Sequence, residues 1–320
     1  MIRIIKLFLI TIILNGCATL NPFIPTPALP PKPEPIKHVD VALVLGGGGS
    51  KAIAHVGALS VLTDNLIPID MIVGTSAGSA IGAMYADNPN PELIRQKMIK
   101  LNKWEILDPS FVDSAQMLTA LKGPIRGELF EKYLYENIEA KLIEQLKIPL
   151  VIVTVDILNN EVYLIRSGPI APAIHASSAI PPIFTPVNLY GRTLVDGGVL
   201  HPVPVKIAKQ FNPKLIIAID IGTKAPKEPL RNMIDLTYRS IWLYYYELSR
   251  MQSALADIDI HPILDGHGTF EDHKKEDLYN EGKKAALAAL PKIRHKLREL
   301  GIPLLQKTYK SGPPWTTTHR

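Results

Sequence analysis

Four short segments of the chain are apolar almost without interruption, at 41–45, 69–73, 149–155 and 215–219. A strand that buries one face alternates apolar and polar residues. A strand buried on both faces has no polar side to show, so uninterrupted β-branched runs of this length predict strands inside a parallel sheet. Between and after them the apolar positions recur at helical spacing. Helices are predicted at 51–65, 76–86, 203–211, 231–256 and 276–299, the last two long and amphipathic. Strands alternating with helices predict an α/β layered fold. Residues 88–147 carry more charge and no strong strand pattern, and read as a mainly helical insertion or cap over the sheet edge. No internal repeat is present. The folded unit is expected to span about 39–305, followed by a polar tail at 306–320.

The first sixteen residues follow a different pattern. Arg3 and Lys6 precede an apolar run over 7–14 interrupted only by Thr11, and small residues follow at Gly16 and Ala18. That is the layout of a secretory signal, and it is too short to span a bilayer stably. Leu14-Asn15-Gly16-Cys17 resembles a bacterial lipobox, which implies cleavage before Cys17 and attachment of a diacylglycerol to its thiol. Such acyl chains would hold the mature chain at a membrane surface, each buried CH₂ contributing roughly 0.8 kcal/mol. Ala18 after the cysteine would suit the outer membrane of a Gram-negative host. The alternative is an ordinary signal or N-terminal anchor with an incidental cysteine. Residues 21–35 then hold seven prolines in fifteen positions. Proline at this density excludes a helix or a central strand and favours extended polyproline II, so 17–38 is expected to be a semi-rigid spacer between anchor and body.

Composition narrows the function classes. The chain has 320 residues, 47% of them hydrophobic, enough for a sizeable core. The net charge is +5, and Arg3 and Lys6 contribute to it from the leader. So small an excess, with no long basic run, argues against nucleic acid as a partner. A single cysteine allows neither an internal disulfide nor a cysteine-based zinc site, and no H-E-x-x-H spacing occurs, so no metal or other cofactor is expected.

Three segments carry chemistry. In LVLGGGGSKAIAHVGAL (43–59), a buried strand runs through Gly46, Gly47, Gly48 and Gly49 into a helix. Glycines permit close backbone approach, and a helix start presents unpaired N–H groups, so the segment can cradle an anion, either a dinucleotide phosphate or an oxyanion. In IVGTSAGSAIGAMYA (72–86), Gly74-Thr75-Ser76-Ala77-Gly78 fits G-x-S-x-G after a strand and before a helix, the context of a nucleophile elbow. In TLVDGGVLHPVPV (193–205), Asp196 ends a short apolar strand before Gly197 and Gly198, and read alone it is a turn residue as readily as a catalytic one.

Taken in order, these segments resemble the patatin-like phospholipase family, from about Val41 to Val205 and more weakly to about Leu300. HASSAIPPIFTPV (175–187) resembles a further stretch of it. The resemblance implies a three-layer α/β/α sandwich with a mostly parallel central sheet. It implies hydrolysis of phospholipid or other acyl-ester lipids by a Ser76–Asp196 dyad, with amides of Gly47, Gly48 and Gly49 as the oxyanion hole. Two positions depart from the family pattern, Lys51 for the usual arginine and Ala52 for the usual glycine. Lysine keeps the charge but loses the planar fork.

Competing readings remain. A Ser–His–Asp triad would take Asp156 or Asp196 as acid and His201 or His267 as base. A non-catalytic, lipid-anchored envelope protein on a hydrolase-like body is a second. A dinucleotide-binding fold would need an acidic ribose partner, for which Asp64 and Asp70 are poorly placed. His55 and His175 are expected to pack or orient their loops. The aromatic stretch at 241–246 suits either helix packing or a lipid interface.

Overall fold

The computed structural model describes residues 29–109, 122–224, 229–264 and 274–306. The leader, Cys17, His267 and the tail from Lys307 onward lie outside the described residues. The expected uninterrupted runs are strands: β1 (Val41–Leu45), β2 (Met71–Thr75), β3 (Leu150–Asp156) and β7 (Leu215–Ile219). With β8 (Ile258–Ile260) they form a parallel array in the order β3-β2-β1-β7-β8. Antiparallel strands β4 (Glu161–Ile165), β5 (Val187–Leu189) and β6 (Arg192–Asp196) extend the sheet from β3.

The apolar runs are explained by what covers them. On β1, Val41, Leu43 and Leu45 face one core and Ala42 and Val44 face another. The first core is closed by helices α1 (Ile53–Asp64), α2 (Ala77–Asp87), α5 (Ile170–Ser177) and α8 (Lys275–Glu299). The second is closed by the short helix α6 (Val205–Lys209) with Val203 and Phe211. Both faces of β1, β2, β3 and β7 are buried, which gives the three layers α/β/α. The region 88–147 contributes helices α3 (Pro91–Lys100) and α4 (Glu128–Asn137), whose Ile94 and Leu134 are buried in the first core. Helix α7 (Met233–Ser253) completes the set.

Of the expected spacer, residues 29–38 are described and lie against the body. Ile36 packs on the second core, and the Ser167 hydroxyl donates to the Pro31 carbonyl at 2.5 Å. That part of the proline-rich segment is therefore attached rather than free.

One feature of the sheet positions the site. β4 runs along one edge of β3, pairing with Ile152 through Asp156. The other edge is shared. Ile72 to Thr75 of β2 lie opposite Leu150 to Val153, and Asp196 to Leu194 of β6 lie opposite Thr154 to Asp156. β6 thus takes up the edge at the residue where β2 leaves it.

Candidate active site

Ser76 follows β2 directly and is the N-cap of α2, with φ 53° and ψ −125°. A positive φ at a residue with a Cβ is strained and persists only where its surroundings enforce it. Here they are identifiable. The Ser76 N–H donates to the Ser177 hydroxyl (2.9 Å), which in turn donates to the Val153 carbonyl (2.7 Å). The Thr75 hydroxyl donates to the His201 carbonyl at 2.8 Å. Gly78 lets α2 close onto the sheet, because a Cβ there would stand 2.1 Å from the Leu45 carbonyl oxygen. The serine is buried yet borders open space, and the helix start behind it favours negative charge.

Asp196 is brought beside it by the shared edge of β3. Its carboxylate accepts the Gly198 N–H at 2.7 Å. Burial raises its pKa to about 7, against the Gly198 N–H and the neighbouring Ser76 hydroxyl, both of which favour the ionised form. A carboxylate in this setting is able to accept a proton near neutral pH.

The glycine run turns as expected, with one correction. The Gly47 N–H is committed to the Pro202 carbonyl at 2.9 Å, as Gly46 is to Ile219. Gly47 was expected to serve an oxyanion; here its amide closes the turn onto 202. Its missing side chain serves Tyr245, since a Cβ on Gly47 would lie 2.2 Å from the tyrosine hydroxyl. Gly48 and Gly49 border the space beside Ser76. His55 holds the same turn from within, its Nε2 donating to the Gly46 carbonyl at 2.8 Å. Burial lowers its pKa to about 4 and keeps it neutral.

Two clefts meet at Ser76. The first is almost wholly apolar, lined by Ala80, Ile81, Met84, Met98, Phe130 and Leu134 among others. The 88–147 region therefore supplies a wall of this cleft. The second cleft lies on the Asp196 side and is lined by Tyr238, Ile241, Trp242, Tyr244, Tyr245 and Leu248 of α7. Tyr238, Trp242 and Tyr245 form a stacked row, with centroids 6.2 and 5.5 Å apart. Lys51, fully buried, reaches this row. Its Nζ lies 5.2 Å from the Trp242 ring and donates to the Thr223 hydroxyl at 2.8 Å. The lysine thus anchors the aromatic helix to the glycine turn.

Among the described residues, the histidine alternative is not assembled, His267 lying outside them. The His201 side chain faces Gln252 (3.4 Å), and burial lowers its pKa. His175 pairs with Glu131 (2.9 Å) and the Arg126 carbonyl (2.9 Å), tying α5 to α4. Asp156 is bound to Arg192 and Asn159, and Asp70 accepts the Asp40 and Val41 amides, so neither carboxylate is offered to a ligand. Asp64 closes α1. Ser177 and Tyr245 were not foreseen as site residues. Ser177 lies in the stretch 175–187 and Tyr245 in the aromatic stretch 241–246, and no local signal ties either one to Ser76.

A family model described as patatin-like phospholipase matches residues 43–209. The chain belongs to the patatin-like phospholipase family. Mouse patatin-like phospholipase domain-containing protein 6 is 32% identical over 190 residues, covering 58% of this chain and 14% of that protein. Lysophospholipase NTE1 of Scheffersomyces stipitis is 28% identical over 275 residues, covering 76% and 17%. An uncharacterised NTE family protein of Mycobacterium tuberculosis is 31% identical over 221 residues, covering 68% and 58%. The chain thus spans less than two thirds of the length of these relatives. Among solved structures, VipD of Legionella pneumophila superposes with a TM-score of 0.49 at 16% identity, covering 88% of this chain and 73% of that one.

Proposed function

We propose that the chain hydrolyses acyl esters of phospholipids or lysophospholipids through Ser76 and Asp196. The observation that carries this reading is the convergence of an elbow-mounted serine and a buried carboxylate of pKa about 7 where two clefts meet. The Ser76 oxygen attacks the ester carbonyl while its proton passes to Asp196. The tetrahedral oxyanion is held by the amides of Gly48 and Gly49 and by the N-terminal end of α2, one such donor contributing about 2.7–4 kcal/mol. Collapse breaks the ester C–O bond, the leaving alkoxide takes the proton from Asp196, and water repeats the sequence on acyl-Ser76. The apolar cleft receives the acyl chain and the aromatic one the glycerol side.

A fluorophosphonate probe tests the core of this. Covalent labelling at Ser76, absent in Ser76→Ala, together with release of fatty acid from lysophospholipid, is the expected result. A folded chain that takes no label would favour the non-catalytic, lipid-anchored alternative.

The cell address follows from the N-terminus. The lipobox-like stretch supports diacylglycerol on Cys17 and a place on the cell envelope, the outer membrane in a Gram-negative host. Radiolabelled palmitate incorporated by the native chain and not by Cys17→Ser is the expected outcome; incorporation by neither would reject the anchor.

A further inference from the structure

Helix α7 is turned the wrong way round for a core helix. Its inward side carries the stacked row Tyr238, Trp242 and Tyr245, and further along Ser249, whose hydroxyl donates to the buried Asp220 carboxylate at 2.5 Å. Its outward side is mostly apolar. At 3.6 residues per turn, Met233, Leu236, Leu243, Tyr244 and Met251 fall within one outward arc. They are 71%, 41%, 49%, 78% and 68% exposed. An exposed and mostly apolar helix face of this kind marks a docking site rather than random surface.

The clefts say what docks there. Tyr244 belongs both to this face and to the lining of the aromatic cleft that ends at Ser76, and Ile241 of the same helix is exposed at the cleft's rim. A protein partner or a second copy of the chain seated on the face would cover the entrance to the nucleophile. A lipid surface would feed it. Chain length agrees, because Cys17 and Leu29, the first described residue, are twelve positions apart. Fully extended, that segment reaches at most about 40 Å, so an acylated Cys17 would keep the body next to lipid. Glu247 is the only charged residue on the outward arc, which suits the boundary between headgroups and acyl chains.

We propose that the outward face of α7 is the membrane-docking surface of this protein, lying in the lipid interface with the aromatic cleft opening into it. The inference deepens the hydrolase reading and rests on it for the direction of substrate entry. The test separates the two. In the full chain carrying Cys17→Ser, an environment-sensitive fluorophore is placed on Leu243→Cys, and in a second protein on Lys284→Cys of α8, which covers the opposite face of the sheet. On addition of phosphatidylethanolamine–phosphatidylglycerol vesicles, the label at 243 is expected to shift to the blue and to be quenched by lipid-borne quenchers, while the label at 284 is unchanged. No change at 243, or equal change at both sites, overturns the proposal. So does a label at 243 already shielded in a dimer without vesicles, which would make the face a contact between copies.

A second measurement uses Met233→Ser, Leu236→Ser, Leu243→Ser and Met251→Ser combined. Hydrolysis of vesicle phospholipid is expected to fall about tenfold, with a monomeric short-chain ester hydrolysed at the original rate. An unchanged vesicle rate overturns the face and leaves the hydrolase standing. If neither substrate is cleaved even by the native chain, the hydrolase reading fails, and the fluorophore readout still decides the face.

Discussion

Thr75 and Asp196, 121 positions apart in sequence, sit opposite consecutive residues of one strand, Val153 and Thr154. β2 gives up the edge of β3 at Thr75, and β6 takes it over at Asp196. Ser76 is the next residue after Thr75, so the register of the sheet itself sets serine and carboxylate side by side.

With Asp196 as the proposed base, its carboxylate is expected to govern how rate and stability depend on pH. The rate is expected to rise with pH and reach half its plateau near pH 7, because Asp196 acts as base only when ionised. Stability runs the other way. The folded pKa lies above the unfolded one, so the folded chain holds the extra proton between about pH 4 and 7, and this contribution is lost as pH rises through that window. Asp196→Asn is expected to abolish most turnover and to raise the melting temperature at pH 8 more than at pH 5. The gain is on the order of a few kcal/mol, at 1.36 kcal/mol per pKa unit. A pH–rate profile and paired thermal melts check both.

Ser76→Ala is expected to lower kcat/KM by about 10⁴-fold or more, since removing a nucleophile leaves only binding and oxyanion contributions. His201→Ala should stay within a few-fold of the native rate, because that side chain faces Gln252 and not the carboxylate. Equal loss in both variants would point to a histidine base.

Ser177→Ala should leave the Ser76 amide without its acceptor. The cost of such a buried donor is about 1–3 kcal/mol, and here it falls on the elbow. Lower kcat with KM little changed is the expected signature of a loosened nucleophile. Ser177→Thr, which keeps the hydroxyl, should recover part of it.

Ala80 lines the apolar cleft close to the serine. Ala80→Phe is expected to fill that space and shift preference toward shorter acyl chains by about tenfold in relative kcat/KM, because chain length is read by hydrophobic burial at about 0.8 kcal/mol per CH₂. A series of esters from four to sixteen carbons measures it.

His55 gives a second pH effect, of opposite sign to that of Asp196. Its folded pKa is lowered to about 4, so its contribution is present above the ordinary histidine range and is lost as pH falls from about 6.5 toward 4. His55→Gln should flatten acid denaturation in that window, as followed by circular dichroism.

The sequence made the parallel strands legible because full burial removes every polar position from them, as in 41–45 and 215–219. It made Ser76 legible because an elbow needs its small residues within five positions. Asp196 was visible only as a turn aspartate until its order after the other two segments was weighed. Gly47 was misjudged as an oxyanion donor because the demand on its amide comes from Pro202, far along the chain. The outward side of α7 was undecided for the same reason, since periodicity marks an apolar side without saying which way it faces.

What the sequence determined alone was therefore local: which stretches are buried on both faces, where the backbone must turn tightly, and which side chains could carry charge or attack. What the tertiary structure decided was adjacency. The shared edge of β3 joins Ser76 to Asp196, Ser177 holds the elbow, and Lys51 and Tyr245 bind the aromatic helix over the glycine turn. Strand register and helix rotation are set by contacts between residues more than a hundred positions apart, and a linear pattern carries no record of those distances.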